Sequence, residues 1–213
     1  MDYEIREVSS STEQRAIYAF RYSIYVAEMR RSQRYADHRH RLVFEPADNS
    51  ARLLAAFDCG GDIVGTVRVH LRRDTPTEYQ NWYRMQAFGD FHPDQTSITT
   101  KLMIASSFRG SSLVIRLSQA CCELAVREGV SFNFIDCNDR LAPFFNRLGY
   151  RQVFANFHHP EYGLVKPMVI AMYDVHHLRE VTSPFTRIVP PVSHPSVDFF
   201  HRLLRTNYEL TGA

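Results

Sequence analysis

The chain has 213 residues, enough for one sizeable hydrophobic core and short for two. Hydrophobic residues make up 45% and charged residues 23%, an ordinary globular balance. Lys plus Arg total 25 against 23 Asp plus Glu, and a net charge of +2 gives no support for broad binding of nucleic acid or a membrane surface.

Residues 3–8 alternate weakly and predict a first strand. Ser9, Ser10, Ser11 and Thr12 form a capping zone for a helix that carries Ile17, Phe20 and Ile24 on one face. Residues 29–40 are crowded with Arg, Gln, Asp and His and read as a mobile loop or short exposed helix, a solvated charge run. Two strands, 51–57 and 63–71, are joined by the hairpin signal Cys59-Gly60-Gly61-Asp62. Residues 72–93 are polar and turn-rich, but Trp82, Tyr83, Met85, Phe88 and Phe91 predict a packed excursion. A strand rich in β-branched residues follows at 96–105, then a serine-rich turn and a helix over 113–127 that stops at Gly129.

Residues 130–137 predict a further strand, and Asp139 opens a short helix closing at Leu148-Gly149-Tyr150. Two last strands are expected near 151–157 and 168–174. A proline-bearing connector over 184–195 precedes an amphipathic helix over 197–208, with Phe199, Phe200, Leu203 and Leu204 as its apolar side. The order predicts a mixed α/β fold around one central sheet. Residues 1–175 form the expected domain, and 176–213 an extension packed on it.

Other classes of site find little support. Cys121 and Cys122 are neighbours, Cys59 and Cys137 stand apart, and none shows C-x-x-C spacing, so no metal site is expected and the thiols read as those of a reduced, cytoplasmic protein. The polar start predicts no signal peptide, and no run approaches the roughly 18 apolar residues of a membrane span. His158 and His159 read as loop histidines, and Ser111 and Ser112 lack a G-x-S-x-G context.

The segment 97–150 carries the chemistry. A strand ends in Ser106 and Ser107, and Arg109-Gly110-Ser111-Ser112 then opens a helix, a junction whose backbone amides can hold a phosphate or serve as a plain cap. A second strand, a short helix and Arg147-Leu148-Gly149-Tyr150 follow. This order resembles the GNAT acyltransferase superfamily, over about residues 3–174. The resemblance implies a GNAT-like acyl-CoA N-acyltransferase fold, with a central mixed, mostly antiparallel sheet flanked by helices.

A narrower resemblance lies upstream. Arg21-Tyr22-Ser23-Ile24-Tyr25-Val26-Ala27-Glu28, Asp48 and Gly65-Thr66-Val67-Arg68 are similar to stretches of two GNAT-like groups, the long-chain N-acyl amino acid synthases and the acyl-homoserine-lactone (autoinducer) synthases. His159-Pro160-Glu161-Tyr162-Gly163 and Pro167-Met168 resemble the first group more. The implied activity moves a medium or long acyl chain from a thioester onto the amine of an amino acid or similar small amine. The co-substrate is an acyl-phosphopantetheine thioester on acyl carrier protein or CoA, with no tightly bound cofactor.

The resemblance also distributes roles. Leu102, Met103 and Ile104 lie on the strand whose backbone amide would stabilise the oxyanion, with Met103 at its centre. Arg109, Gly110, Ser111 and Ser112 would hold the donor phosphate, and Glu28 would act as base. Arg21, Tyr25, Arg68 and Lys101 are placed around the acceptor, and Phe132, Phe134 and Phe145 around the acyl chain. Arg21 and Arg68 are equally suited to pair with Asp48.

Two departures bear on the donor. Ser112 and Val114 stand where common members carry glycines, a loop better suited to a single phosphodiester on a carrier protein than to a pyrophosphate. Phe145 stands where many members place a tyrosine acid. Two other readings remain open: an acyl-CoA-dependent N-acetyltransferase, and a non-catalytic module that binds acyl groups or carrier protein.

Overall fold

A computed structural model describes residues 3–211, with side chains described to residue 206. Met1, Asp2, Gly212 and Ala213, which the expected domain and extension include, lie outside the described residues. The elements run β1 (Tyr3–Glu7), α1 (Ser11–Tyr22), a π-helical turn (Ser23–Glu28), β2 (Ala36–Asp37), β3 (Leu42–Val43) and a 3-10 turn (Pro46–Ser50). Then come β4 (Arg52–Asp58), β5 (Ile63–Leu71), α2 (Thr77–Trp82), a 3-10 stretch (Met85–Phe91), β6 (Thr96–Ile104) and α3 (Leu113–Arg127). The chain finishes with β7 (Phe132–Cys137), α4 (Ala142–Leu148), β8 (Arg151–Gln152), β9 (Phe157–His159), β10 (Gly163–Ala171), α5 (Val175–Glu180) and α6 (Pro195–Thr211). The fold is α/β, with a mixed, mostly antiparallel sheet flanked by helices.

The chain divides into two compact units, residues 1–70 with 99–121 and residues 71–98 with 122–213. In the first, the strand order is β1-β4-β5-β6. β1 pairs antiparallel with β4, and β4 with β5, across a turn in which the Asp58 carboxylate accepts from the amides of Gly60 and Asp62. Helix α1 starts where Ser10 accepts from the Glu13 amide and returns its hydroxyl proton to the Glu13 carboxylate, a cap worth about 1 kcal/mol. Its Ile17 joins Val8, Leu53, Ala55 and Phe57 in a core cluster. At Gly65 of β5 a Cβ would stand 2.7 Å from the end of Leu117 of α3 and 3.1 Å from the end of Ile104 of β6, so a larger residue would make both side chains shift.

In the second unit the first part of β6 pairs parallel with β7, from Thr96 opposite Phe132 to Ile98 opposite Phe134, and β7 pairs antiparallel with β10. Inside it, the Tyr150 hydroxyl donates to Asn133 and the Asn133 amide donates to Ser97, a fully enclosed relay that fixes this pairing. The core is aromatic. Phe88 lies 4.8 Å from Phe132 and 4.7 Å from Phe134, and Phe200 of α6 closes over Phe132 at 5.7 Å. Asp174, at 2% exposure, accepts from Arg151 and meets His201 of α6 at 2.8 Å, tying the last helix to the sheet.

Several expectations need correction. The short helix opens at Ala142, not Asp139, because Asn138 Oδ1 accepts from the Leu141 amide and holds a turn first. The strand expected at 151–157 reduces to β8 and a separate β9, and the last strand starts at Gly163 and ends at Ala171. Asp174 does not end that strand; it caps α5 by accepting from His177. Residues 29–40 hold no helix; they are turns and loop apart from β2, which pairs with β3.

Candidate active site

Three cations and two carboxylates meet inside the first unit. The Asp48 carboxylate accepts from Nη1 of Arg21 at 2.8 Å through both oxygens, and Arg68 Nη1 donates to Glu45 at 2.7 Å and to Asp48 at 3.2 Å. Lys101 pairs with the other oxygen of Glu45. Arg21 and Arg68 are wholly enclosed, and Arg68 Nε reaches Thr100 at 2.9 Å. A local device builds the acidic half: Glu45 and Asp48 cap the Pro46–Ser50 turn reciprocally, so backbone amides as well as the cations hold both carboxylates. Burial raises the pKa of Glu45, but the charges and hydrogen bonds of Lys101 and Arg68 outweigh it and hold the carboxyl at about 2.

The named side chains are three cations and two carboxylates. Nε and Nη2 of Arg21 make no hydrogen bond among the described residues and sit 5.6 Å from the Tyr18 ring centre by the guanidinium carbon. His70, buried beside them, adds no charge. Burial and the nearby Arg68 push its imidazole down to about 4, and its Nε2 donates to the Ala47 carbonyl at 2.7 Å.

Lys101 is placed by a break in its strand. Its φ of 56° is left-handed, rare for a residue with a side chain, and the kink sends the ammonium to Glu45 and within 5.1 Å of the Tyr25 ring. Leu102, Met103 and Ile104 follow directly, with Met103 buried and its neighbours half-buried. The expected acceptor residues Arg21, Tyr25, Arg68 and Lys101 thus form one network beside the expected oxyanion strand. Glu45 and His70 escaped the sequence reading, although the Glu45-Pro46-x-Asp48 spacing of a capped turn was visible.

Beyond β6 the donor loop turns through Ser106–Phe108, and Gly110 takes a left-handed φ of 84° with open space where a Cβ would sit. Ser111 donates to the Phe108 carbonyl and accepts from the Leu113 amide, and Ser112 meets Tyr3 at 3.2 Å. The Ser111 hydroxyl therefore serves the loop itself, and that of Ser112 ties it to β1. Arg109 donates through Nε to the Ile104 carbonyl and pairs through Nη1 with Glu28. Base candidate and phosphate candidate are partners in this structure.

A family model described as N-acyl amino acid synthase FeeM matches residues 16–174, about three quarters of the chain. The chain belongs to this family. It is an acyltransferase, and the matched span includes every expected site residue. No curated protein matches the chain by sequence. Among solved structures, a CoA-dependent acyl-homoserine lactone synthase, BjaI, with SAM and isopentyl-CoA, is similar with a TM-score of 0.68 at 15% identity, over 95% of this chain and 99% of that one. FeeM, an N-acyl amino acid synthase from uncultured soil microbes, aligns with a TM-score of 0.65 at 13% identity, over 89% and 99%. The acyl-homoserine lactone synthase LasI aligns with a TM-score of 0.62 at 11% identity, over 80% and 90%. At these identities the structures establish a shared fold.

In the second unit of this acyltransferase, Phe132 and Phe134 are fully buried and ringed by Phe88, Phe91, Phe199 and Phe200. Phe145 belongs to another group, with Phe144 at 5.1 Å and Tyr150 at 5.8 Å. The three expected acyl-site phenylalanines therefore do not share one ring cluster. Burial pushes the Cys121 thiol up to about 12 and Cys137 to about 11, so neither is a thiolate nucleophile near neutral pH. No helix among the described residues is long and apolar enough to cross a membrane.

Proposed function

We propose that the enzyme transfers a medium or long acyl chain from acyl carrier protein to the α-amine of an amino acid. The observation that carries the acceptor side is the cluster of Arg21, Arg68 and Lys101 beside the expected oxyanion strand. Three cations held together by two acids attract a further carboxylate, and the acceptor's would join them through charge-assisted hydrogen bonds. Family membership supports the same class of acceptor.

The reaction in this reading is direct. The neutral amine attacks the thioester carbon, the C–N bond forms as the C–S bond breaks, and the thiolate leaves. A backbone amide at Leu102–Ile104, centred on Met103, holds the developing oxyanion. The amine proton passes to Glu28 directly or through one water. With a thiol pKa near 8.5, the leaving group needs little help from an acid, which accommodates Phe145 where a tyrosine is common. The donor phosphate takes Arg109 and the backbone of Gly110 to Ser112. The acyl chain lies by Phe132, Phe134 and Phe145, with ring movement to admit it. Residues 1–175 act as the catalytic domain with 176–213 as its extension, in the cytoplasm.

The carrier-protein donor follows from the loop, whose serine hydroxyls are already engaged and whose single left-handed glycine offers room for one phosphodiester. CoA is the second reading, favoured by the likeness to CoA-dependent synthases. A panel of amino acids and their decarboxylated amines tests the acceptor. Each amino acid should exceed its amine by about tenfold or more in kcat/KM, and equal turnover of the two would remove the acceptor assignment.

A further inference from the structure

We propose that the arginine-rich stretch after α1, with the β2–β3 hairpin it leads into, is the surface on which an acidic acyl carrier protein docks. Residues 29–44 contain five arginines and one aspartate, a local surplus of four charges in a chain whose whole surplus is two. The remainder of the molecule is therefore net negative. Asp37 is itself occupied, accepting from the amide and ring of His40. Arg30, Arg39 and Arg41 are exposed, and their side chains have no ion-pair partner among the described residues.

Apolar groups are interleaved with these charges. Met29 is 44% exposed, Tyr35 39% and Phe44 38%, half of the large exposed hydrophobics among the described residues. Tyr35 and Phe44 also share a groove of about 610 Å³ with Arg15 and Tyr18 of α1. Arginine, methionine and aromatic residues are the types enriched where proteins bind proteins, and lysine is absent from the stretch. Arg30 and Arg41 bracket it with left-handed φ values of 52° and 56°, a conformation disfavoured at a residue with a Cβ.

Position makes this surface useful. Met29 follows directly on Glu28, whose carboxylate pairs with Arg109 of the donor loop. A carrier seated on 29–44 would present its phosphopantetheine arm beside that loop. A small acidic domain fits the patch in sign. A membrane plane or a nucleic acid is a long polyanion and would also meet the net-negative remainder of the molecule.

The proposal rests on the carrier-protein reading above, and the test separates the two. The measurement is kcat/KM for acyl carrier protein, for acyl-CoA and for acyl-pantetheine bearing the same chain, in the wild type, Arg39→Ala, Arg39→Glu and Arg39→Glu/Arg41→Glu. Charge reversal should lower the carrier-protein value by about tenfold or more, with a smaller loss in Arg39→Ala, and leave acyl-pantetheine within about twofold. Unchanged carrier turnover in the variants, with the wild type still preferring carrier to CoA, overturns the docking surface and leaves the donor reading standing. A wild type that uses acyl-CoA as well as carrier overturns both. Equal loss with all donors in Arg39→Ala assigns the arginine to the fold and overturns the surface. So does loss of binding to phosphatidylglycerol vesicles with carrier kinetics unchanged, which would make lipid the partner.

Discussion

Arg109 and Glu28, 81 residues apart, are bound to each other by an ion pair between half-exposed side chains. An exposed pair of this kind is worth about 0–1 kcal/mol, so a donor phosphate can take the arginine from the carboxylate at little cost. Donor binding would then release Glu28 at the moment an amine must lose its proton.

Kinetics of the two single variants read this exchange. Arg109→Ala should raise the donor KM with kcat largely kept. Glu28→Gln should lower kcat by about a hundredfold, the usual contribution of a general base, and lower the donor KM because Arg109 is freed. An unchanged kcat in Glu28→Gln would take the base role from this residue.

The buried network makes a prediction about stability. Asp48→Asn leaves Arg21 enclosed without its carboxylate and should cost about 3–5 kcal/mol, seen as a large fall in the midpoint of urea unfolding. Arg52→Ala, which removes an exposed pair with Glu7, should cost under about 1 kcal/mol. Similar losses in both variants would mean that burial is not what gives the network its weight.

His70 contributes to the response to mild acid. Its folded pKa of about 4 lies below the ordinary 6.5, so the stability it contributes is present above pH 6.5 and is lost as pH falls toward 4. The loss should approach roughly 3 kcal/mol, at about 1.4 kcal/mol per pKa unit. Glu45 adds a separate loss below pH 4.5, as its carboxyl protonates toward 2. His70→Gln keeps a donor for the Ala47 carbonyl and should reduce the first step, leaving the part due to His92, His177 and His194, whose imidazoles burial also pushes down, and leaving the Glu45 step. A wild-type stability that does not change between pH 7 and 5 would contradict this.

Much of the fold could be read along the chain, where local signals agree. The serine cap of α1, the hairpin at Cys59-Gly60-Gly61-Asp62 and the bounds of α3 all lie within a few residues of their cause. The errors fall where those signals are short or broken. α5 is six residues, too few for a helical period, and Pro167 with Lys166 interrupts the pattern of β10 although Pro167 sits in register with Asp136. At the candidate site, the types Arg21, Asp48, Arg68 and Lys101 were legible, but their enclosure was not. Burial arises from packing between segments 20 to 80 residues apart, and no window of sequence contains it. The pairing of Arg109 with Glu28 was hidden for the same reason.

The most direct test of the acyl transfer is mass spectrometry of a reaction containing hexadecanoyl or decanoyl carrier protein and an equimolar amino acid mixture. The account predicts an N-acyl amino acid formed one for one with released holo carrier protein, and faster than from the matching acyl-CoA. Released carrier with free fatty acid and no amide, or turnover confined to acetyl-CoA, would contradict it.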